Sequence, residues 1–242
     1  MGVRVTRFFV LGLISSIIVS CASYRNVALP GYDKKKISGK TLVIAPYSNR
    51  PSIDYSGNVK PEFGKGNKDT LIYCHFSETF PRCIEKYSSF SSVRHDAFTS
   101  QLELVKRLYM FGSDSVFLLL PKDGSFVSTK NGNADFVLFM QDITLGTSTC
   151  YVPGGGSMVM MNGGGGMTMV GRGGGSSSGN LGYSANYTFW DNDKKCPAVI
   201  GRAKVNTRPE GFWWVQFNTI KQWNDIDSCF AKSAIDSTPF AK

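Results

Sequence analysis

An α+β domain is the fold class that this 242-residue sequence predicts: a mixed sheet ending in an antiparallel three-strand meander, covered by helices. Three observations carry it. Residues 134–149 (ADFVLFMQDITLGTST), 181–191 (LGYSANYTFWD) and 198–207 (AVIGRAKVNT) have β-type composition. The second of them alternates, with Tyr183, Ala185, Tyr187 and Phe189 on one face. Residues 210–235 space Trp213, Trp214, Phe217, Ile220, Trp223, Ile226, Cys229 and Phe230 three and four apart, the period of a long C-terminal amphipathic helix.

The other elements follow in order. Residues 40–47 (KTLVIAPY) are a short apolar run closed by Pro46 and read as a buried strand. Residues 48–68, with Pro, Gly, Asn and Ser, read as a loop. Ser77 is placed to cap a helix at SETFPRCIEKY, with Pro81 in its early turns. Residues 90–98 are extended. Residues 99–111 (TSQLELVKRLYMF) put Leu102, Val105, Leu108 and Tyr109 near one helical face, and SVFLLLP at 115–121 is a short strand. Asp191, Asn192 and Asp193 form a turn.

The N-terminus sets the compartment. Arg4 and Arg7 precede an apolar run at 8–19 that is too short to span a bilayer, the pattern of a secretory signal. Its end, Ile18-Val19-Ser20-Cys21, resembles the lipobox of bacterial lipoproteins. The resemblance implies a signal peptide over 1–20, lipid attached through the sulfur of Cys21, and stable anchoring by two or more acyl chains. Ala22 follows the cysteine where an aspartate favours the inner membrane, so the expected location is the outer membrane, facing the periplasm. Residues 21–39 then form a lipidated polar tether, and 40–242 a single periplasmic domain with a Gly/Met-rich insertion at 153–179.

Net charge is +9, and +7 once Arg4 and Arg7 leave with the signal. That balance suits a neighbour of anionic lipid or glycan. An envelope protein rarely meets nucleic acid, and no nucleic-acid partner is expected. Disulfides are allowed in that compartment. Cys74 with Cys83 is the first candidate pair and Cys196 with Cys229 the second, Cys150 being left over. No CxxC motif occurs, which argues against a thioredoxin-like centre.

The segments KTLVIAPY, NADFVLFMQDITL, LGYSANYTFWD and VIGRAKV and the terminal helix ending in TPF resemble a family of envelope lipoproteins. Its small α/β periplasmic domain is shared by the curli-secretion lipoprotein and the N-terminal part of the Tol-Pal propeller protein. The resemblance covers roughly residues 40–235 in element order, with Ala134-Asp135 and Trp190-Asp191 as its most distinctive pairs. It brings no catalytic residues and implies an accessory, assembly or secretion role.

The insertion, PGGGSMVMMNGGGGMTMVGRGGGSSSG, is long for a connection between adjacent strands. It lacks GxxxxGK[ST] and a strand-to-helix turn, so it is not a phosphate cradle. Met158, Met160, Met161, Met167 and Met169 offer thioethers that suit Cu(I), but no His or Cys accompanies them within the loop. The flanks MVMM and MTMV are set to pair as two short strands around a glycine tip, contacting a partner or a membrane. They are about half the roughly 9–11 residues a membrane-spanning strand needs. The favoured reading is a mobile low-complexity loop, because glycine and serine repay little of the entropy of ordering.

No enzyme is expected. His75 and His95 are the only histidines, and neither GxSxG nor HExxH is present. Asp135 opens a strand, Asp191 and Asp193 belong to a turn, and Asp142 lies near them without a defined partner. The tryptophans at helical spacing read as core. The expectation is a membrane-anchored, non-enzymatic accessory or binding component of the envelope with no cofactor. The alternative is an oligomeric secretion or channel subunit using the 153–179 hairpin, and the third reading a Cu(I)-binding lipoprotein.

Overall fold

In the strand that runs through residues 199–205, Val199, Ala203 and Val205 are buried on one side, while Arg202 and Lys204 are exposed on the other. That period-2 division organises the whole molecule. The computed structural model describes residues 22–32, 36–46, 53–56, 64–97, 102–152, 160–161, 167–168, 176–207 and 219–242. Along the chain run β1 (Ala22–Ala28), β2 (Thr41–Pro46), β3 (Ile53–Ser56), α1 (Lys68–Tyr87), β4 (Ser92–His95), β5 (Leu104–Phe111) and β6 (Asp114–Pro121). Then come β7 (Phe136–Val152), β8 (Met160–Met161), β9 (Met167–Thr168), β10 (Ser176–Asp191), β11 (Cys196–Asn206) and α2 (Ile220–Ile235).

A seven-stranded mixed sheet in the order β1-β11-β10-β7-β2-β4, with β3 also on β7, forms the body. The α+β class is therefore as expected. β7, β10 and β11 lie side by side and antiparallel. They occupy the middle of the sheet rather than its end, since β1 flanks β11 and β2 flanks β7, and β8 and β9 intervene between β7 and β10.

Both helices cover one face. Ile72, Phe80 and Ile84 of α1 are buried and recur at helical spacing. Phe230 of α2 meets Phe80 at 5.7 Å and Tyr183 of the sheet at 4.5 Å between ring centroids. His75 lies opposite Trp223, and Thr79 opposite Asp227, so α1 and α2 run parallel. At the far end Phe240 stacks on Phe90 at 4.9 Å and closes the core over Phe136 and Phe189. The β5–β6 hairpin covers part of the other face, where Phe111, Leu118 and Leu120 pack with Val43, Phe139 and Trp190.

Four expectations are corrected. Residues 22–28 are not a tether: β1 pairs with β11 from Ala22↔Val205 to Ala28↔Val199. α1 starts at Lys68, not at Ser77, because Asn67 caps it, its side chain accepting from the Asp69 and Thr70 amides at 2.9 and 3.3 Å. Residues 104–111 are a strand, not part of a helix over 99–111, since the hairpin buries Phe111 and leaves Leu108 and Met110 exposed. A helix does not run unbroken over 210–235: α2 starts at Ile220, where Thr219 and Gln222 form a capping box, and residues 210–218 lie outside the described residues. Trp213 and Trp214 lie outside the described residues, while Trp223 is core as expected.

The α1 correction carries a test. Asn67→Ala is expected to lower unfolding stability by about 1 kcal/mol. Ser77→Ala, on the exposed side of the helix, is expected to stay within about 0.5 kcal/mol of the parent. Urea denaturation of the two variants separates the two helix starts.

Candidate functional site

The face of the sheet opposite the helices is only partly covered. Beside the β5–β6 hairpin run two cross-strand rows of polar side chains, exposed at Ser23, Arg25, Arg202 and Lys204, half-buried at Thr144, Gln141 and Ser184, and buried at Asn186. The first row is Thr144, Ser184, Lys204 and Ser23, one residue from each of β7, β10, β11 and β1 in register. The second is Gln141, Asn186, Arg202 and Arg25 from the same four strands. They floor two neighbouring hollows of about 630 and 600 Å³, which share Arg202 as a lining residue and are walled by the hairpin, and together form a groove. The Arg25 guanidinium donates to the Phe111 carbonyl and lies 4.0 Å from the Asp114 carboxylate. Asn186 Nδ2 donates to Asp142 at 2.7 Å, holding a residue whose φ is +49°. Leu119 N–H donates to Gln141 Oε1 at 2.7 Å and ties the hairpin to the groove.

β7 and β10 outrun the rest of the sheet. β3 leaves β7 at Ser56↔Gly146, and β11 leaves β10 at Gly182↔Asn206, with one more backbone bond from Thr207 N–H to the Leu181 carbonyl. The two strands pair with each other for five further pairs, Asn180↔Ser148 to Ser176↔Val152. That is a ribbon roughly 17 Å long. Among the described residues neither edge of it is paired. Past it, Met160↔Thr168 and Met161↔Met167 pair antiparallel as β8 and β9, the two short strands expected of the methionine flanks. β1 begins beside this same end, with Ala22 opposite Val205.

Between the helices lies a buried polar pair. The Thr79 hydroxyl donates to the Asp227 carboxylate, and His75 Nε2 lies 3.5 Å from the same oxygen. Burial pushes the Asp227 carboxyl up to about 7 against the opposing Thr79 bond. Burial also lowers His75, with Glu78 opposing. Burial, followed by the Asp227 charge, pushes the Cys83 thiol up to about 11, so it is not a nucleophile near neutral pH. The apolar walls, from Ile72, Ile143, Leu145 and Trp223, leave room for about 20 Å³ and no substrate.

The residues singled out in the sequence do not converge. Cys21, Met158 and Met169 lie outside the described residues, and Met160, Met161 and Met167 are described in backbone only. Cys74 and Cys83 are nine residues apart on α1. That separation is roughly 13 Å along the axis and puts them on opposite sides of the helix. A disulfide allows roughly 7 Å between Cα atoms, so this pairing is excluded. Cys74, Cys83, Cys196 and Cys229 are all free thiols. Asp135 accepts from Lys40 Nζ at 2.8 Å and from the Thr41 amide at 2.7 Å, fixing the start of β2. Asp191 accepts from the Tyr32 hydroxyl at 2.7 Å and from the Lys194 amide at 2.9 Å across its turn. His75 is buried inside α1 rather than at a surface or an element end. Among the described residues no three His, Cys, Asp or Glu side chains are placed to hold a metal, and no helix is long and apolar enough to cross a membrane.

No family model and no curated protein sequence matches the chain. Among solved structures it is similar to the PelC dodecamer from Paraburkholderia phytofirmans in two crystal forms. A point variant in space group C2 is 6% identical with a TM-score of 0.33, over 89% of this chain and 95% of that one. The space group P6 form is 6% identical with a TM-score of 0.34, over 91% of this chain and 99% of that one.

Proposed function

We propose that the protein is a lipid-anchored, non-enzymatic component of the bacterial envelope, facing the periplasm, that assembles with copies of itself through the β7–β10 ribbon. The ribbon, neither edge of which is paired among the described residues, is the observation that carries this reading. A two-stranded ribbon is marginal in water on its own. Its unpaired amides and carbonyls invite another strand, and proteins that avoid such pairing place charge or proline along the edge. Residues 147–152 (TSTCYV) and 176–180 (SSSGN) contain neither charge nor proline. One edge is β7 and the other β10, so copies would add head to tail, the geometry that closes into rings when the rotation permits. Five pairs fall short of the roughly 9–11 residues that span a bilayer, so the ribbon is an assembly element rather than a complete pore wall.

The anchor fits the same end. β1 starts at the residue after Cys21 and beside the ribbon. A lipid on Cys21 then holds the sheet against the membrane without an intervening tether.

The test is mass by light scattering of the acylated protein in mild detergent. Its partner is a variant in which residues 149–179 are replaced by Asn-Gly, a two-residue hairpin turn joining Ser148 to Asn180. The parent is expected as a discrete oligomer and the variant as a monomer with an unchanged circular dichroism spectrum. A monomeric parent, or a variant that keeps the parent's mass, overturns the assembly reading. Cys21→Ala is expected to release the protein from the membrane fraction.

A further inference from the structure

We propose that the open groove on the sheet binds an acidic polysaccharide, a chain of uronic-acid type lying across the strands. This goes beyond the assembly reading and does not depend on the ribbon. The first argument is charge. Arg25 and Arg202 are direct cross-strand neighbours. Like charges placed opposite each other destabilise a sheet, and Asp114, at 4.0 Å, meets only Arg25. Among the described residues Arg202 and Lys204 have no acidic partner. A ligand carboxylate between the two arginines removes the repulsion and gains charge-assisted hydrogen bonds.

The second argument is the spacing of neutral groups. In the row through Lys204, hydroxyls of Thr144, Ser184 and Ser23 stand on successive or flanking strands. Neighbouring strands are roughly 4.8 Å apart, close to the length of one pyranose ring. A polymer of hydroxylated rings therefore meets one polar side chain per ring as it crosses the sheet. The third argument is what the floor lacks. The backbone of β7, β10 and β11 is already paired strand to strand, so an extended peptide meets a main-chain edge only along β1, at one side of the floor, and none across it. Single-stranded nucleic acid is held by successive exposed aromatic faces; the two rows contain none, and of the exposed aromatics lining the groove, Tyr24 and Phe117, the latter already carries Lys106 over its ring at 4.4 Å.

The experiment uses the full-length protein in mild detergent. Fluorescence anisotropy measures binding of an end-labelled oligogalacturonate hexamer, with neutral maltohexaose and a 20-nucleotide oligothymidylate as comparators. The hexamer is expected to bind and the two comparators to bind at least tenfold more weakly. The double variant Arg202→Gln/Lys204→Gln, both exposed and free of structural hydrogen bonds, is expected to lose about tenfold in affinity, a change of about 1.4 kcal/mol. The double variant Lys36→Gln/Lys130→Gln removes the same charge outside the groove and is expected to change affinity less than twofold. Equal losses in the two variants, equal binding of oligothymidylate, or no binding of the hexamer overturns the proposal.

Discussion

Asp227→Asn will make the protein more stable at pH 8 and leave it nearly unchanged at pH 4. Asp227 is buried between the helices, and its carboxyl titrates at about 7 in the folded state against 3.8 in its absence. The folded-state value is raised, so the folded chain holds a proton that the unfolded chain has lost. Stability therefore falls as pH climbs from about 4 to about 7, by roughly 4 kcal/mol for a shift of this size. Asparagine keeps the shape and the acceptor for the Thr79 hydroxyl but never ionises, so the slope disappears. For a domain of this size the gain at pH 8 amounts to a melting temperature about 10 °C higher. His75 works in the opposite direction over an overlapping window: its lowered value costs stability as pH falls below about 6.5. His75 lies 3.5 Å from Asp227, so the two titrations are coupled and the comparison reports the pair, with the Asp227 proton setting the sign above about pH 6.5. Melting curves between pH 4 and 8 decide the matter. Equal slopes for parent and variant would show that Asp227 is ionised and solvated between the helices.

The elements that were legible in the sequence are those whose pattern is set locally. In β10, Tyr183, Ala185, Tyr187 and Phe189 alternate because one face meets the helices, and no other element has to be known to see it. The start of α1 was also on the page, as Asn67 followed by an acid in the first turn and apolar residues at 72, 76, 80 and 84. Pro81 obscured it by suggesting a helix that had only just begun. It sits in mid-helix, buried, where packing against the sheet and α2 outweighs the lost hydrogen bond. β5 failed for another reason. Its outward side chains Leu108 and Met110 are apolar and exposed, which fills in the polar half of a strand's alternation and imitates a helical stripe.

The groove was legible in part only. Arg202 and Lys204, or Ser184 and Asn186, appear in the sequence as polar positions two apart, as on any solvated strand. That they form rows with β7 and β1 depends on register, which is a long-range property. The ribbon was hidden similarly. The sequence pattern takes the strand over 134–149 to Thr149, but the serines beside glycine at 176–180 read as loop, and only the pairing of 147–152 with 176–180 extends both strands past the sheet. β1 is the clearest case. ASYRNVA has no apolar alternation strong enough to claim a place in a core, and its place is set by pairing with β11, the Tyr187 hydroxyl and carbonyls at the end of α2.

Those contacts make Gly201→Ala a severely damaging small substitution. Gly201 faces Tyr187 across the β10–β11 pair and Asn26 across the β1–β11 pair. A Cβ there would stand 2.1 Å from Tyr187 Cε2 and 2.5 Å from Asn26 Oδ1. The ring cannot swing aside, because its hydroxyl donates to Asn26 Oδ1 and lies 3.4 Å from the Ser233 carbonyl. Asn26 cannot retreat either: its Nδ2 donates to the carbonyls of Ser233 and Asp236 at 2.9 and 2.6 Å, joining β1 to the end of α2. One methyl group thus forces apart β1, β10 and α2 together, and the expected loss is about 3 kcal/mol or more, the upper end for overpacking. The mechanism is separable from a general intolerance of β-branching or bulk at this position. Tyr187→Leu alone costs stability by losing the ring and its hydrogen bonds, but with the ring gone the added methyl has space. The double variant Gly201→Ala/Tyr187→Leu is expected to be no less stable than Tyr187→Leu, a coupling of several kcal/mol between neighbours. Hydrogen exchange supplies the second readout: Gly201→Ala should unprotect the amides of β1 before those of β2 and β7. If Gly201→Ala costs under 1 kcal/mol, β1 is not seated on the sheet, and residues 22–28 revert to a tether between Cys21 and the domain.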